Sequence, residues 1–328
     1  MTEQDKEAPP AAPPSPEDSV YFFDGISWTP QIDDAAQAVA LWINCDMCGA
    51  SLWGLPRVGK SEFTKYFERV ANEMFRGTVV VIRLWFGGEQ FTKSDQFLRR
   101  SLSNVGVRAA STRQLESLRI RLMDEIWSRC TPATRRIVVI GDELQNVASA
   151  LYGEFAIMET TISERGYIPF LLCIGQPELR STIANLEKNL HIMGRQFQEL
   201  REFCGLSFDQ IEKFLRILDG EDKSFSKKHF PTRATQGWSI VQLIKPLEEA
   251  VHSMCSLDTL NLELFFPMAY LRQTLNYVFF FLSEETNTGD EAIIEAILEA
   301  FDRNGFKKVV MAYSKQKEDP KNAPEVAQ

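Results

Sequence analysis

Gly54-Leu55-Pro56-Arg57-Val58-Gly59-Lys60-Ser61 is the stretch on which the fold turns. It matches G-x-x-x-x-G-K-[ST], a loop whose backbone N–H groups wrap a β-phosphate while the following helix adds the positive end of its dipole. Such a loop works only between a strand and a helix, and the flanks supply both. Cys48–Trp53 reads as a short strand running into a glycine, and Phe63, Tyr66, Phe67, Val70 and Met74 recur at helical spacing. Lys60 is then placed to reach the β/γ-phosphates of ATP and Ser61 to ligate Mg2+, with Gly54 through Glu62 making up the nucleotide loop. Arg57 stands where many such loops carry glycine, so a strained backbone angle or an extra phosphate contact is expected there.

The matching second half is Ile137-Val138-Val139-Ile140-Gly141-Asp142-Glu143. Its apolar residues read as a buried strand that delivers two carboxylates to its C-terminal end, where open α/β sheets bind ligands. Asp142 is expected to hold Mg2+ through water, and Glu143 to polarise the attacking water. Thr78–Phe86 and Ile168–Gly175 read as two more buried strands; Leu115, Leu118, Leu122 and Ile126 mark a helix, and Val147–Arg165 another. Continuous apolar strands separated by helices predict a parallel sheet covered on both faces. After about Ser207 the strands stop. Ser207 and Gln210 form a capping box for a helix carrying Ile211, Phe214, Leu215 and Leu218, and the rest to Phe301 reads as helices only.

Composition bounds what surrounds this unit. The 328 residues are 44% hydrophobic and 25% charged, enough for a sizeable core. Apolar runs such as Leu264–Leu271, interrupted by Pro267, fall far short of the ~20 residues that span a bilayer. The N-terminus has neither the basic nor the apolar region of a signal peptide, and six cysteines fit a reducing compartment, so a cytoplasmic protein without a membrane partner is expected. The net charge of −9 excludes a generally basic nucleic-acid coat. Residues 1–19 hold five of the fifteen prolines and five acids against one lysine, and read as a disordered tail. The expected division is therefore tail 1–19, α/β domain 20–206, helical domain 207–313 and a flexible polar tail 314–328.

A phosphate loop, an Asp-Glu strand, a third strand ending in Gly175-Gln176-Pro177-Glu178-Leu179 and a following helical lid together resemble an AAA+ ATPase. The Ile174–Leu179 run is similar to the TniB/TnsC group of transposition ATPases, relatives of MuB and ExeA. The resemblance covers about Asp34 to Phe301. It implies an ATPase that oligomerises as a ring or helical filament on double-stranded DNA, with little sequence preference. It further implies that the protein links a target-selection protein to the transposase. It places Gln176 in the sensor-1 position, Arg195 (or, second, Arg201) as the arginine finger offered to a neighbouring subunit, and Arg272 as the lid's sensor-2 arginine, though without the glycine that often precedes it. Two other readings stay open: a DNA-binding scaffold with ATP as structural ligand, and an ExeA-like ATPase in secretion or signalling.

Arg83–Arg121 holds eight basic residues against three acids. In the resembling group this stretch faces DNA, and Lys93 and Arg113, in polar loops at helix starts, are the best phosphate contacts; an ordinary solvated helix face is the competing reading. Cys45 and Cys48 have zinc-ligand spacing but no second pair follows, so buried thiols are expected instead.

Overall fold

The computed structural model describes residues 28–108, 114–186, 190–220, 224–255, 262–284 and 289–316. Both terminal tails expected from composition lie outside these, apart from Ser314–Gln316. The first helix, α1 (Pro30–Asn44), has the start signal of a helix: the Thr29 hydroxyl accepts from the Ile32 N–H and Pro30 occupies the first turn. There follow β1 (Gly49–Trp53), α2 (Lys60–Met74), β2 (Val79–Trp85), α3 (Ser94–Asn104), α4 (Leu115–Ser128) and β3 (Arg136–Asp142). Next come α5 (Tyr152–Glu164), β4 (Ile168–Gly175), α6 (Glu178–Leu186), α7 (Leu190–Gln196) and β5 (Leu200–Glu202).

The five strands form one parallel sheet in the order β2-β3-β4-β1-β5. The interior strands β3 and β4 are buried on both faces, which is why they are continuous apolar runs. The two-residue period of a strand sends alternate side chains to opposite faces. Val138, Ile140, Phe170, Leu172 and Ile174 join one core with α1 and α2, while Ile137, Val139, Leu171 and Cys173 join the other with α3, α4 and α5. Phe63 and Phe67 of α2 are fully buried in the first core, each worth ~1.5–3 kcal/mol by burial.

Beyond β5 lie α8 (Phe208–Leu218), α9 (Phe225–His229), α10 (Pro231–Thr235), α11 (Ile244–Met254), β6 (Leu262–Leu264), α12 (Met268–Glu284), α13 (Asp290–Arg303) and β7 (Ser314–Gln316). The expected capping box is present: the Ser207 hydroxyl accepts from Gln210 N–H and the Gln210 side chain accepts from Ser207 N–H. Phe214, Phe266, Phe279 and Phe301 continue the first core, so the helical part packs onto the α1/α2 side of the sheet. Two expectations need correction. The region is not purely helical, because β6 pairs antiparallel with β7. For the same reason Ser314–Gln316 is a strand and not the start of a flexible tail: Phe265 N–H donates to the Tyr313 carbonyl, and Lys315 reaches Glu202 at 2.7 Å. Three-residue strands are too short to show a two-residue period in sequence.

Candidate nucleotide site

The phosphate loop leaves the C-terminal end of β1 and enters α2, as its chemistry requires. Gly54 has to be glycine because a Cβ there would lie 2.2 Å from the Phe203 carbonyl oxygen. Gly59 has to be glycine because its φ is 116°. Arg57 is also left-handed, with φ of 65°, so the strained angle expected from the missing glycine is real. Lys60 is buried and folds back over its own loop, donating to the carbonyls of Gly54 (2.6 Å) and Leu55 (2.8 Å). Burial pulls its pKa down, opposed by the charges of Glu143, Asp142 and Glu178. The side chain of Val58 is buried in the core, so that residue can serve a phosphate only through its backbone. Glu62 lines the cleft but is also paired with Lys65 at 2.7 Å.

The two carboxylates at the end of β3 have different surroundings. Asp142 is buried; its Oδ1 accepts from Glu143 N–H at 3.0 Å, and its Oδ2 has no partner. Burial and then the neighbouring Glu143 push its pKa up to about 6, against the pull of that N–H, Arg83 and Lys60. Glu143 stands on a left-handed backbone, φ 61°, and its Oε2 accepts from Gln145 Nε2 (2.6 Å) and from Gln176 Nε2 (3.2 Å). Gln145 Oε1 in turn accepts from Gln176 N–H at 3.1 Å, locking the tip of β4 to the end of β3. Sequence reasoning missed Gln145. Its signal was available: a polar residue two positions after an exposed-end carboxylate, before the chain turns away.

These groups line a cleft of about 560 Å3 in which Lys60, Ser61, Glu143 and Gln176 face Arg272 of α12. The structure therefore brings the loop, Glu143 at the end of β3, Gln176 and Arg272 together. It does not bring Arg195 there. Arg195 is exposed beside Cys48, Glu159 and Ile168, at the opposite, N-terminal end of the strands. Arg201 is on β5, also away from the cleft, with Nη1 3.4 Å from the Asp34 carbonyl. Lys93 is exposed immediately before α3, and Arg113 lies outside the described residues. Three other members of the basic stretch face carboxylates: Arg83 pairs with Glu68, Arg100 with Glu89, and Arg119 with Glu154 and Glu116. Among the described residues no helix is long and apolar enough to cross a membrane.

No known family's sequence profile matches this chain, and no curated protein matches it. Solved structures do. The ORC2 protein of Aeropyrum pernix in its ADPNP-ADP complexes superposes with a TM-score of 0.57 at 12% identity, covering 87% of this chain and 72% of that one. Its ADP form gives 0.55 at 12% identity, over 85% and 72% of the two chains. Cdc6p of Pyrobaculum aerophilum gives 0.53 at 12% identity, over 81% and 66%. The fold is the one these structures share, a parallel sheet covered by helices and followed by a helical part. The cleft lies between the phosphate loop and the first turns of α12.

Proposed function

We propose that the chain is an ATPase that assembles with copies of itself on double-stranded DNA and, in transposition, couples a target-selection protein to the transposase. The observation that carries the ATPase reading is the Glu143 carboxylate, held by Gln145 and Gln176 across the cleft from Lys60 and Arg272. A carboxylate fixed by two amides at the mouth of a phosphate loop is placed to take a proton from water attacking a γ-phosphoryl group. Lys60 would exchange its two carbonyl partners for β/γ-oxygens, and Arg272 would offset charge on the γ-phosphoryl oxygens. The residues present fit a divalent cation: the unpartnered Asp142 Oδ2 and the Ser61 hydroxyl would hold Mg2+, which supplies charge neutralisation between the phosphates. The ADPNP and ADP bound by the ORC2 structures support nucleotide as the ligand of this cleft. The DNA and transposition parts are supported by the Gly175–Leu179 segment at the tip of β4 and by exposed Lys93 beyond β2.

The test is ATP turnover and duplex binding by the full chain. Wild type should hydrolyse ATP, faster with duplex DNA, and should bind DNA only with ATP and less tightly as salt rises. Lys60→Ala should bind neither. ATP turnover with no response to DNA would leave an ATPase and remove the DNA reading; sequence-selective binding without nucleotide would remove both.

A further inference from the structure

The crest of the phosphate loop is held by the C-terminal part of the chain. Two successive carbonyls, those of Pro56 and Arg57, each receive a donor from it. The Tyr313 hydroxyl donates to Pro56 O at 2.9 Å, and Ala269 N–H donates to Arg57 O at 3.1 Å. Ala269 is in the first turn of α12, so its N–H has no partner within the helix and the loop carbonyl takes that place. The Arg57 guanidinium lies over the Tyr270 ring, 5.0 Å from its centroid, and the Tyr270 ring packs edge-on against that of Tyr313. Two of these contacts meet at Arg57, the one loop residue whose backbone is left-handed without being glycine, and a third holds Pro56 beside it.

We infer that this is a clasp by which the lid holds the loop in its phosphate-binding shape, with Arg57 as the positioning residue, and that the clasp sets how long nucleotide is retained. This rests on the nucleotide reading above. A left-handed residue within a loop is the backbone conformation from which anion-binding nests are built. That angle is unfavourable for a side chain and persists only where the surroundings over-determine it. Here the surroundings are Ala269, Tyr270 and Tyr313. Arg272 is one turn along α12 from Ala269 and lines the cleft. A lid that settles Arg272 toward phosphate therefore also seats Ala269 and Tyr270 on the loop. Releasing the phosphates requires the loop to relax, and the clasp opposes that.

The experiment is stopped-flow release of a fluorescent ATP analogue from the full chain with Mg2+ present. Tyr313→Phe removes only the hydroxyl, Tyr270→Leu removes the ring, and Arg57→Gly removes the cation while tolerating the angle. Each should release nucleotide about three- to tenfold faster, from the worth of one hydrogen bond or cation–π contact. Tyr270→Phe, which keeps the ring, should release at the wild-type rate. The double variant Arg57→Gly/Tyr270→Leu should be no faster than the worse single one, because both break one contact. Thermal unfolding without nucleotide checks that each variant is folded; should Tyr270→Leu fail, Tyr313→Phe carries the test. Wild-type release from folded Tyr313→Phe and Arg57→Gly would overturn the clasp. So would fast release from Arg57→Gly alone with Tyr270→Leu unchanged, since that means direct phosphate contact. A wild-type chain that retains no analogue overturns the nucleotide reading itself, a distinct result.

Discussion

Glu143 is held at a backbone angle that a non-glycine residue adopts only at a cost of ~1–3 kcal/mol, and its carboxylate is fixed from two sides by Gln145 and Gln176. Replacing it with Gln keeps the shape and removes the proposed base. Glu143→Gln should therefore bind ATP as wild type does and hydrolyse it about 10²-fold or more slowly, measured by phosphate release. Gln145→Ala should leave affinity alone and cost roughly tenfold in turnover, the worth of a hydrogen bond to a charged group; unchanged turnover would mean Gln176 alone orients the carboxylate. A second carboxylate makes a separate prediction. Glu159 is a buried residue of α5, and burial raises its pKa from 4.5 to about 7, against hydrogen bonding from Gln196 and the charge of Arg195; Cys173 lies beside it. The native state thus holds a proton there that the unfolded chain has released above its ordinary value. That contribution to stability is complete below pH 4.5 and is lost as pH rises toward about 7, on the order of 3 kcal/mol in all. Denaturant titrations at pH 5 and pH 8 should show the loss in wild type and a smaller difference in Glu159→Gln.

The elements differ in how much of them could be read in advance. β3 and β4 were legible because a strand buried on two faces must be apolar throughout, and the phosphate loop because its glycines answer to fixed geometry at Gly54 and Gly59. The capping box of α8 was legible because it is local: Ser207 and Gln210 satisfy each other's N–H groups within one turn. Ser207→Ala should accordingly cost about 1 kcal/mol of stability in denaturant unfolding while leaving ATP affinity unchanged; a loss well above that would mean the cap also holds the junction between sheet and lid. What could not be read is what depends on residues distant in sequence. Nothing near Tyr313 signals that its hydroxyl reaches Pro56, and β6 and β7 pair across some fifty residues of chain, beside the stacked Phe266 and Phe306. In the basic stretch the ion-paired reading holds for Arg83, Arg100 and Arg119, whose carboxylates come from other elements that charge counting cannot see.

At the scale of the whole molecule, the positions of Arg195 and the cleft decide what one copy can do alone. The cleft opens at the C-terminal ends of the strands, and Arg195 stands at their N-terminal ends beside Cys48 and Ile168. A strand of five to eight residues at ~3.3 Å each puts roughly 20 Å of sheet between them, beyond the reach of any side chain. If Arg195 acts on a γ-phosphate it acts on a neighbour's, as the proposed assembly requires, and the site is complete only between subunits. An arginine supplied in that way would add ~10³-fold or more to hydrolysis. The competing role is that of an ordinary exposed arginine, whose loss would cost under about 1 kcal/mol and leave turnover unchanged. Mixing separates these. Lys60→Ala copies cannot hold ATP but can lend Arg195, whereas Arg195→Ala copies keep their cleft but cannot complete the next. Each alone should be nearly inactive, and a mixture on duplex DNA should recover part of the wild-type rate. Normal turnover by Arg195→Ala alone would end its assignment, and the same pairing repeated with Arg201→Ala would then show whether the edge strand β5 provides the finger instead.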